Sequence, residues 1–251
     1  MTKSFTILVV AALQMMGFEA SAQPAQPPVL RGVQEFPCRQ VIPQGQQLNL
    51  DFGQLCRYDD ANAMLPPASA QRVVYFGDSL TEGWTNLMPG LQVNDVINRG
   101  IGGQTSAQML VRFRADVIHL KPRIVHLLVG TNDIAGNTGA TSIARIQDAI
   151  KSMAEQARAN GIRVVLAAVL PAKTIPWRPG LDPVPHIRAI NTWMAAYAAK
   201  EGFTYVDYRP ALTDGGDGIS AALSQDGVHP NAAGYAAMKP FAADAIQRAN
   251  R

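Results

Sequence analysis

The segment Asp226-Gly227-Val228-His229-Pro230 sets a carboxylate three residues before a histidine, in a stretch flanked by glycine and proline. A carboxylate so placed can orient the ring and stabilise the imidazolium that forms when a neighbouring hydroxyl is deprotonated. A hydroxyl suited to that exchange is Ser79, in Gly77-Asp78-Ser79-Leu80-Thr81. It stands at an expected strand-to-helix turn, where amides point at a developing negative charge. Two further segments could hold that charge. Asn98-Arg99-Gly100-Ile101-Gly102-Gly103-Gln104-Thr105-Ser106 is dense in glycine, so its backbone N–H groups can approach a ligand closely. Gly130-Thr131-Asn132-Asp133 offers the Asn132 side-chain amide as a donor.

Each segment also has a structural explanation when taken singly. Gly-Asp-Ser suits an ordinary turn and helix N-cap, and the glycines suit a flexible connection. Asn132 suits an Asx turn, and Asp226 could cap the helix that follows it. His126, by contrast, sits inside an apolar run and reads as a core residue.

The elements that must position these groups follow from hydrophobic periodicity. Strands are expected at Arg72 to Phe76, Val93 to Asn98, Arg123 to Val129, Ile162 to Leu170 and Thr204 to Val206. Helical periodicity covers Ser106 to Leu120, Thr141 to Asn160, Val184 to Lys200 and Asn231 to Arg248, with a short helix at Arg57 to Leu65 and Gly161 as a C-cap. Alternating strands and helices imply parallel pairing through right-handed crossovers, and continuously apolar strands imply burial on both faces. The expected fold is therefore a three-layer α/β/α sandwich around a parallel sheet of about five strands. Ligands of such sheets lie beyond the carboxyl ends of the strands, where Ser79, Gly103 and Asn132 all fall.

The first 22 residues read as a secretory signal: Lys3, an apolar run from Phe5 to Phe18, then Ala20-Ser21-Ala22 before Gln23. Residues 23–70 read as an N-terminal extension and 71–251 as the core domain. Export makes a Cys38–Cys56 disulfide the expected state of the two cysteines. No stable membrane insertion is expected once the signal is cleaved. The net charge of +3 is small, with no run of Lys or Arg able to track a phosphate backbone, so nucleic acid is not an expected partner. Arg112, Arg114, Lys121 and Arg123 alternate with apolar residues and read as solvated helix edges. No Gly-x-Ser-x-Gly elbow, dinucleotide loop or P-loop is present, so no cofactor is expected. Asp214 and Asp217 hint at a cation site but lack the ligand spacing of a calcium loop, and no metal is expected.

The four segments, in this order, resemble the four blocks of the SGNH hydrolases, also called GDSL lipases and acylhydrolases, from about Val73 to Tyr235. The resemblance implies a flavodoxin-like SGNH hydrolase fold, with Ser79 as nucleophile and His229, oriented by Asp226, as base. Ser79 N–H, Gly103 N–H and the Asn132 amide would form the oxyanion hole. The implied activity is hydrolysis of a carboxylic ester, with acetyl-type groups favoured by likeness to acetylhydrolase-like members and a small-molecule or glycan ester as substrate. A lysophospholipid or thioester would need no different residues, and a non-catalytic glycan-binding protein could share the fold. Trp84, and Trp177 in Pro176-Trp177-Arg178-Pro179, are expected walls of the substrate pocket.

Overall fold

In the computed structural model, residues 51–87 and 95–251 are described. The expected signal segment, the leader, Cys38 and the expected start of the second strand at Val93 lie outside these residues. Five strands, β1 (Val73–Gly77), β2 (Val96–Gly100), β3 (Ile124–Leu128), β4 (Arg163–Ala167) and β5 (Thr204–Val206), form one sheet in the order β2-β1-β3-β4-β5. Every pairing is parallel, with Gly77 opposite both Gly100 and Leu128, so the carboxyl ends of β1, β2 and β3 finish level. The expected second strand is shifted toward the C-terminus. Asp95 has φ +61°, which cannot continue an extended strand, and its carboxylate ties down Ser69 N–H and Arg72 Nε instead.

The helices are α1 (Asp59–Ala63), α2 (Ser79–Leu87), α3 (Ser106–Phe113), α4 (Thr131–Ile134), α5 (Ile143–Ala159), α6 (Val184–Glu201), α7 (Arg209–Leu212) and α8 (Ala232–Ala249). Alternate strand residues feed two cores. Phe76 packs with Met109, Phe113, Ile150 and Met194 under α3, α5 and α6, whereas its neighbour Tyr75 packs with Leu80, Tyr235 and Met238 under α2 and α8. The expected three-layer sandwich is thus the observed one. Gly161, at φ +70°, ends α5 as expected.

The helix expected over Ser106 to Leu120 changes character part-way. After Phe113 it widens into a π-turn over Arg114–Ile118, closed by His119 N–H on Arg114 O at 3.0 Å. Asp116 in that turn is buried and lies 3.0 Å from Arg112. The single helix expected at Arg57 to Leu65 is a 3-10 turn, Leu55–Tyr58, leading into the shorter α1.

This part of the N-terminal extension packs over the edge strand β2 and the loop beyond it. Tyr58 Oη donates to Gly100 O, Gln104 Nε2 donates to Gly53 O at 3.0 Å, and Gln108 Nε2 donates to Phe52 O at 2.9 Å. Covering an edge strand in this way satisfies polar groups that would otherwise offer themselves to another chain.

Candidate active site

Ser79 is the first residue of α2, immediately after β1. Asp78 caps that helix: its Oδ1 accepts from Leu80 N–H at 2.9 Å, and its carbonyl accepts from Thr81 and Glu82 N–H. The capping reading of Gly-Asp-Ser is therefore correct for Asp78, and it leaves the Ser79 hydroxyl free for other work. Two glycines let α2 lie this close to the sheet. A Cβ at Gly100 would stand 2.1 Å from Glu82 N, and one at Gly77 would stand 2.0 Å from Thr81 Oγ1.

Ser79 Oγ lies 2.9 Å from His229 Nε2, although 150 residues separate them. On the other side of the ring, His229 Nδ1 lies 2.7 Å from Asp226 Oδ2. Asp226 Oδ1 accepts from His229 N–H at 2.7 Å and Val228 N–H at 2.9 Å. The helix that follows is capped by Asn231, whose Oδ1 accepts from Gly234 N–H, so Asp226 serves the histidine rather than the helix. Partial burial would raise the Asp226 pKa, but the donations from His229 and Val228 outweigh it and bring the carboxyl down to about 2. At neutral pH it is an ionised acceptor, which sets the ring with Nδ1–H toward Asp226 and leaves Nε2 to accept the Ser79 proton.

The expected oxyanion donors come from the ends of β2 and β3. Gly103 follows β2 with φ +78°, a conformation that favours glycine. Its neighbour Gly102 is held by N–H donation to Glu82 Oε2 at 2.8 Å. Asn132 is buried in α4, and its Nδ2 donates to Asp78 Oδ2 at 3.0 Å and to Gln104 O at 3.1 Å. An incoming oxyanion would therefore share or replace one of these acceptors. The loops after β2 and β3 are laced together by Asp133, which accepts from Ser106 N–H at 2.8 Å and Ser106 Oγ at 2.5 Å.

Residues 75–237, more than half of the 251-residue chain, match the model of the GDSL-like lipase/acylhydrolase family. The chain belongs to that family. Esterase TesA of Pseudomonas aeruginosa is 32% identical over 177 residues, covering 65% of this chain and 81% of that protein. A GDSL-like lipase structure from Bacteroides thetaiotaomicron is 40% identical, with TM-score 0.76 over 79% of this chain and 100% of that one. An acetylxylan esterase structure from Geobacillus stearothermophilus, 18% identical, shares the fold with TM-score 0.56 over 72% of this chain and 96% of that one.

In this GDSL-family chain the site has supports that sequence reading missed. Asn137 donates through Nδ2 to Asn132 Oδ1 at 2.8 Å and Gly103 O at 3.1 Å. It lies five positions after Asn132 in an irregular loop, where no periodicity singles it out. Arg112, expected on a solvated edge, is completely buried: Nη2 donates to Gly77 O at 2.8 Å, Nη1 to Arg99 O at 2.8 Å, and Nε to Gln104 Oε1 at 2.5 Å. The correction has a physical reason. Asp116 neutralises the charge, two strand-end carbonyls and the Gln104 side-chain oxygen fill the guanidinium fork, and the Phe76 ring centroid lies 4.1 Å from its central carbon.

Trp84 requires a second correction. It is fully buried and walls no pocket, because its position on α2 turns it inward among Tyr75, His126, Tyr208 and Tyr235, with ring centroids 5.1 to 5.8 Å away. His126 is buried beside it, as expected, with Nε2 2.7 Å from Tyr208 Oη. Trp177 stands at the site, its ring centroid 5.9 Å from that of His229. Asp217 pairs with Arg188 and Arg209, and among the described residues no group of three His, Cys, Asp or Glu side chains could hold a metal.

Asp78 makes the family site sensitive to pH. Burial pushes its carboxyl up to about 7; the Asp133 charge adds to the rise, while Leu80 N–H and His229 oppose it. The folded state thus keeps a proton that the unfolded chain releases near pH 4. The stability this brings is present in full below that pH and is lost as pH rises through about 7. Wild type is expected to show a fall in urea midpoint across this window that Asp78→Asn lacks, whereas parallel profiles would mean that Asp78 is ionised throughout.

Proposed function

We propose that the chain hydrolyses carboxylic esters, with Ser79 as nucleophile, His229 as general base and acid, and Asp226 as the carboxylate that orients it. The observation that carries this reading is the unbroken run Ser79 Oγ–His229–Asp226, at 2.9 and 2.7 Å, at the carboxyl end of a parallel sheet. As Ser79 Oγ bonds to the acyl carbon, its proton passes to His229 Nε2 and the carbonyl electrons move onto oxygen. Ser79 N–H, which has no partner within its own helix as a first-turn amide, joins Gly103 N–H and the Asn132 amide around that oxygen. Collapse breaks the bond to the alcohol, which leaves with the proton from His229. Water then repeats the sequence on the acyl-enzyme, releasing the acid and restoring Ser79.

The acyl group is a short one, of acetyl type. The wall beside Ser79 at Gly102 is polar, with Gly102 N–H donating to Glu82 Oε2 at 2.8 Å, and this suits a short acyl group better than a long alkyl chain. Hydrolysis of p-nitrophenyl acetate, butyrate and octanoate is expected to fall in kcat/KM with each lengthening. A maximum at roughly eight carbons or beyond would instead point to a lysophospholipase or thioesterase. Binding of acetylated glycan without turnover of any ester would make the chain a binding protein. From the signal-like first 22 residues we further infer export and a Cys38–Cys56 disulfide: the intact mass of exported protein is expected to start at Gln23 and lack two hydrogens, and a full-length reduced mass would refute both.

A further inference from the structure

Trp177 belongs to the loop after β4 and is the exposed aromatic ring beside His229, 39% accessible and tilted 34° to the imidazole. Its orientation is set from within. Trp177 Nε1–H donates to Asn137 Oδ1 at 3.0 Å, and Asn137 spends both hydrogens of Nδ2 on Gly103 O and Asn132 Oδ1. Flipping the Asn137 amide would set its oxygen against two acceptors and its nitrogen against a donor, so only one orientation satisfies all three partners. The polar edge of the indole is thereby used up, and what it offers solvent is an apolar ring face already held in place. An aromatic face open beside His229 and already held in place loses little freedom on binding a ligand.

We propose that this face of Trp177 is the leaving-group subsite, taking an alcohol that carries a flat or chair-shaped ring, a pyranose or a phenol, and that Asn137 is the positioning residue that holds it. The proposal rests on the ester-hydrolase reading. His229 Nε2 must deliver its proton to the departing oxygen, so the alcohol leaves past the imidazole, whose centroid lies 5.9 Å from that of Trp177, while the acyl carbon stays on Ser79. Pyranose C–H faces and aromatic π faces both stack on indole; the shared chemistry is the apolar face of a six-membered ring.

The test compares four esters on wild type, Trp177→Leu, Asn137→Ala and the double variant: phenyl acetate, a mono-acetylated methyl xylopyranoside, ethyl benzoate and ethyl acetate. Trp177→Leu is expected to lower kcat/KM about tenfold more for the two esters with a ring in the alcohol than for ethyl acetate, which cancels any general harm to His229. Ethyl benzoate, whose ring is in the acyl half, is expected to follow ethyl acetate. Asn137→Ala is expected to lower all four rates by loosening Gly103 and Asn132 and, relative to ethyl acetate, to reproduce the ring-specific loss, with no further ring-specific loss in the double variant, because both changes remove one platform. A loss shared by phenyl acetate and not by the xyloside assigns the face to phenols, and the reverse assigns it to sugars. Equal losses on all four esters, or a loss that follows the acyl ring, overturn the subsite and leave the hydrolase reading standing. Hydrolysis that survives Ser79→Ala removes the hydrolase reading and the subsite with it.

Discussion

Ser79→Ala is expected to lower kcat/KM for p-nitrophenyl acetate by at least about a thousandfold, on the order of 4 kcal/mol of transition-state stabilisation. The hydroxyl lies 2.9 Å from His229 Nε2, at the carboxyl end of β1. Alanine suits the first turn of α2 at least as well as serine, so the urea midpoint should hardly move. Loss of rate without loss of folding is the signature of the nucleophile. Combining Ser79→Ala with His229→Ala should cost little more than either alone, because the two act as one unit. Equal rates in wild type and Ser79→Ala would show that the hydroxyl does not attack the ester.

Arg112→Met is expected to reduce folding stability by about 3–5 kcal/mol, because it leaves the Asp116 carboxylate buried without its cation. Asn62 Nδ2, at 2.9 Å from Asp116 Oδ1, is a neutral donor and cannot replace the lost charge. The variant also takes a hydrogen bond from Arg99 O, Gly77 O and Gln104 Oε1 at once. Gly77 O keeps its bond from Ile101 N–H, so the strand end is weakened rather than stranded. Changing the pair together, Arg112→Met with Asp116→Leu, should recover part of the loss, since an apolar pair of similar volume leaves no buried charge behind. Urea unfolding of the three variants decides the matter. A loss below about 1 kcal/mol for the single change would mean that Asp116 finds another partner or takes up a proton.

The five strands and the helices α3, α5, α6 and α8 were legible because their apolar residues recur in a simple pattern and are buried. Their limits moved where a single backbone conformation or side chain intervened, as at Asp95, whose φ of +61° delays β2. The proposed reacting residues were legible through four segments taken together in the order of the family blocks, and the local geometry is compatible with their proposed roles. A serine must stand at a tight turn, and an aspartate three residues before a histidine can reach both the ring and its backbone N–H. Arg112 and Trp84 were misread for one common reason. Periodicity reports whether a helix has a buried face, but burial of a cation depends on the acceptors that distant strand ends supply, and burial of Trp84 depends on the rings that β1, β3 and α8 pack against it.

The sequence by itself determined the order of elements and the parallel sheet, which follow from local pattern, while the resemblance of four segments to the family blocks singled out Ser79, Asp226 and His229 as the proposed reacting residues. Only the tertiary structure decided which groups support them: Asp78 behind Asn132, Arg112 joining the ends of β1 and β2, and Asn137 between Gly103, Asn132 and Trp177. Those contacts join loops that are tens of residues apart. Their existence depends on strand order and register, which bring the carboxyl ends of β1, β2 and β3 to one level, and no local signal encodes that meeting.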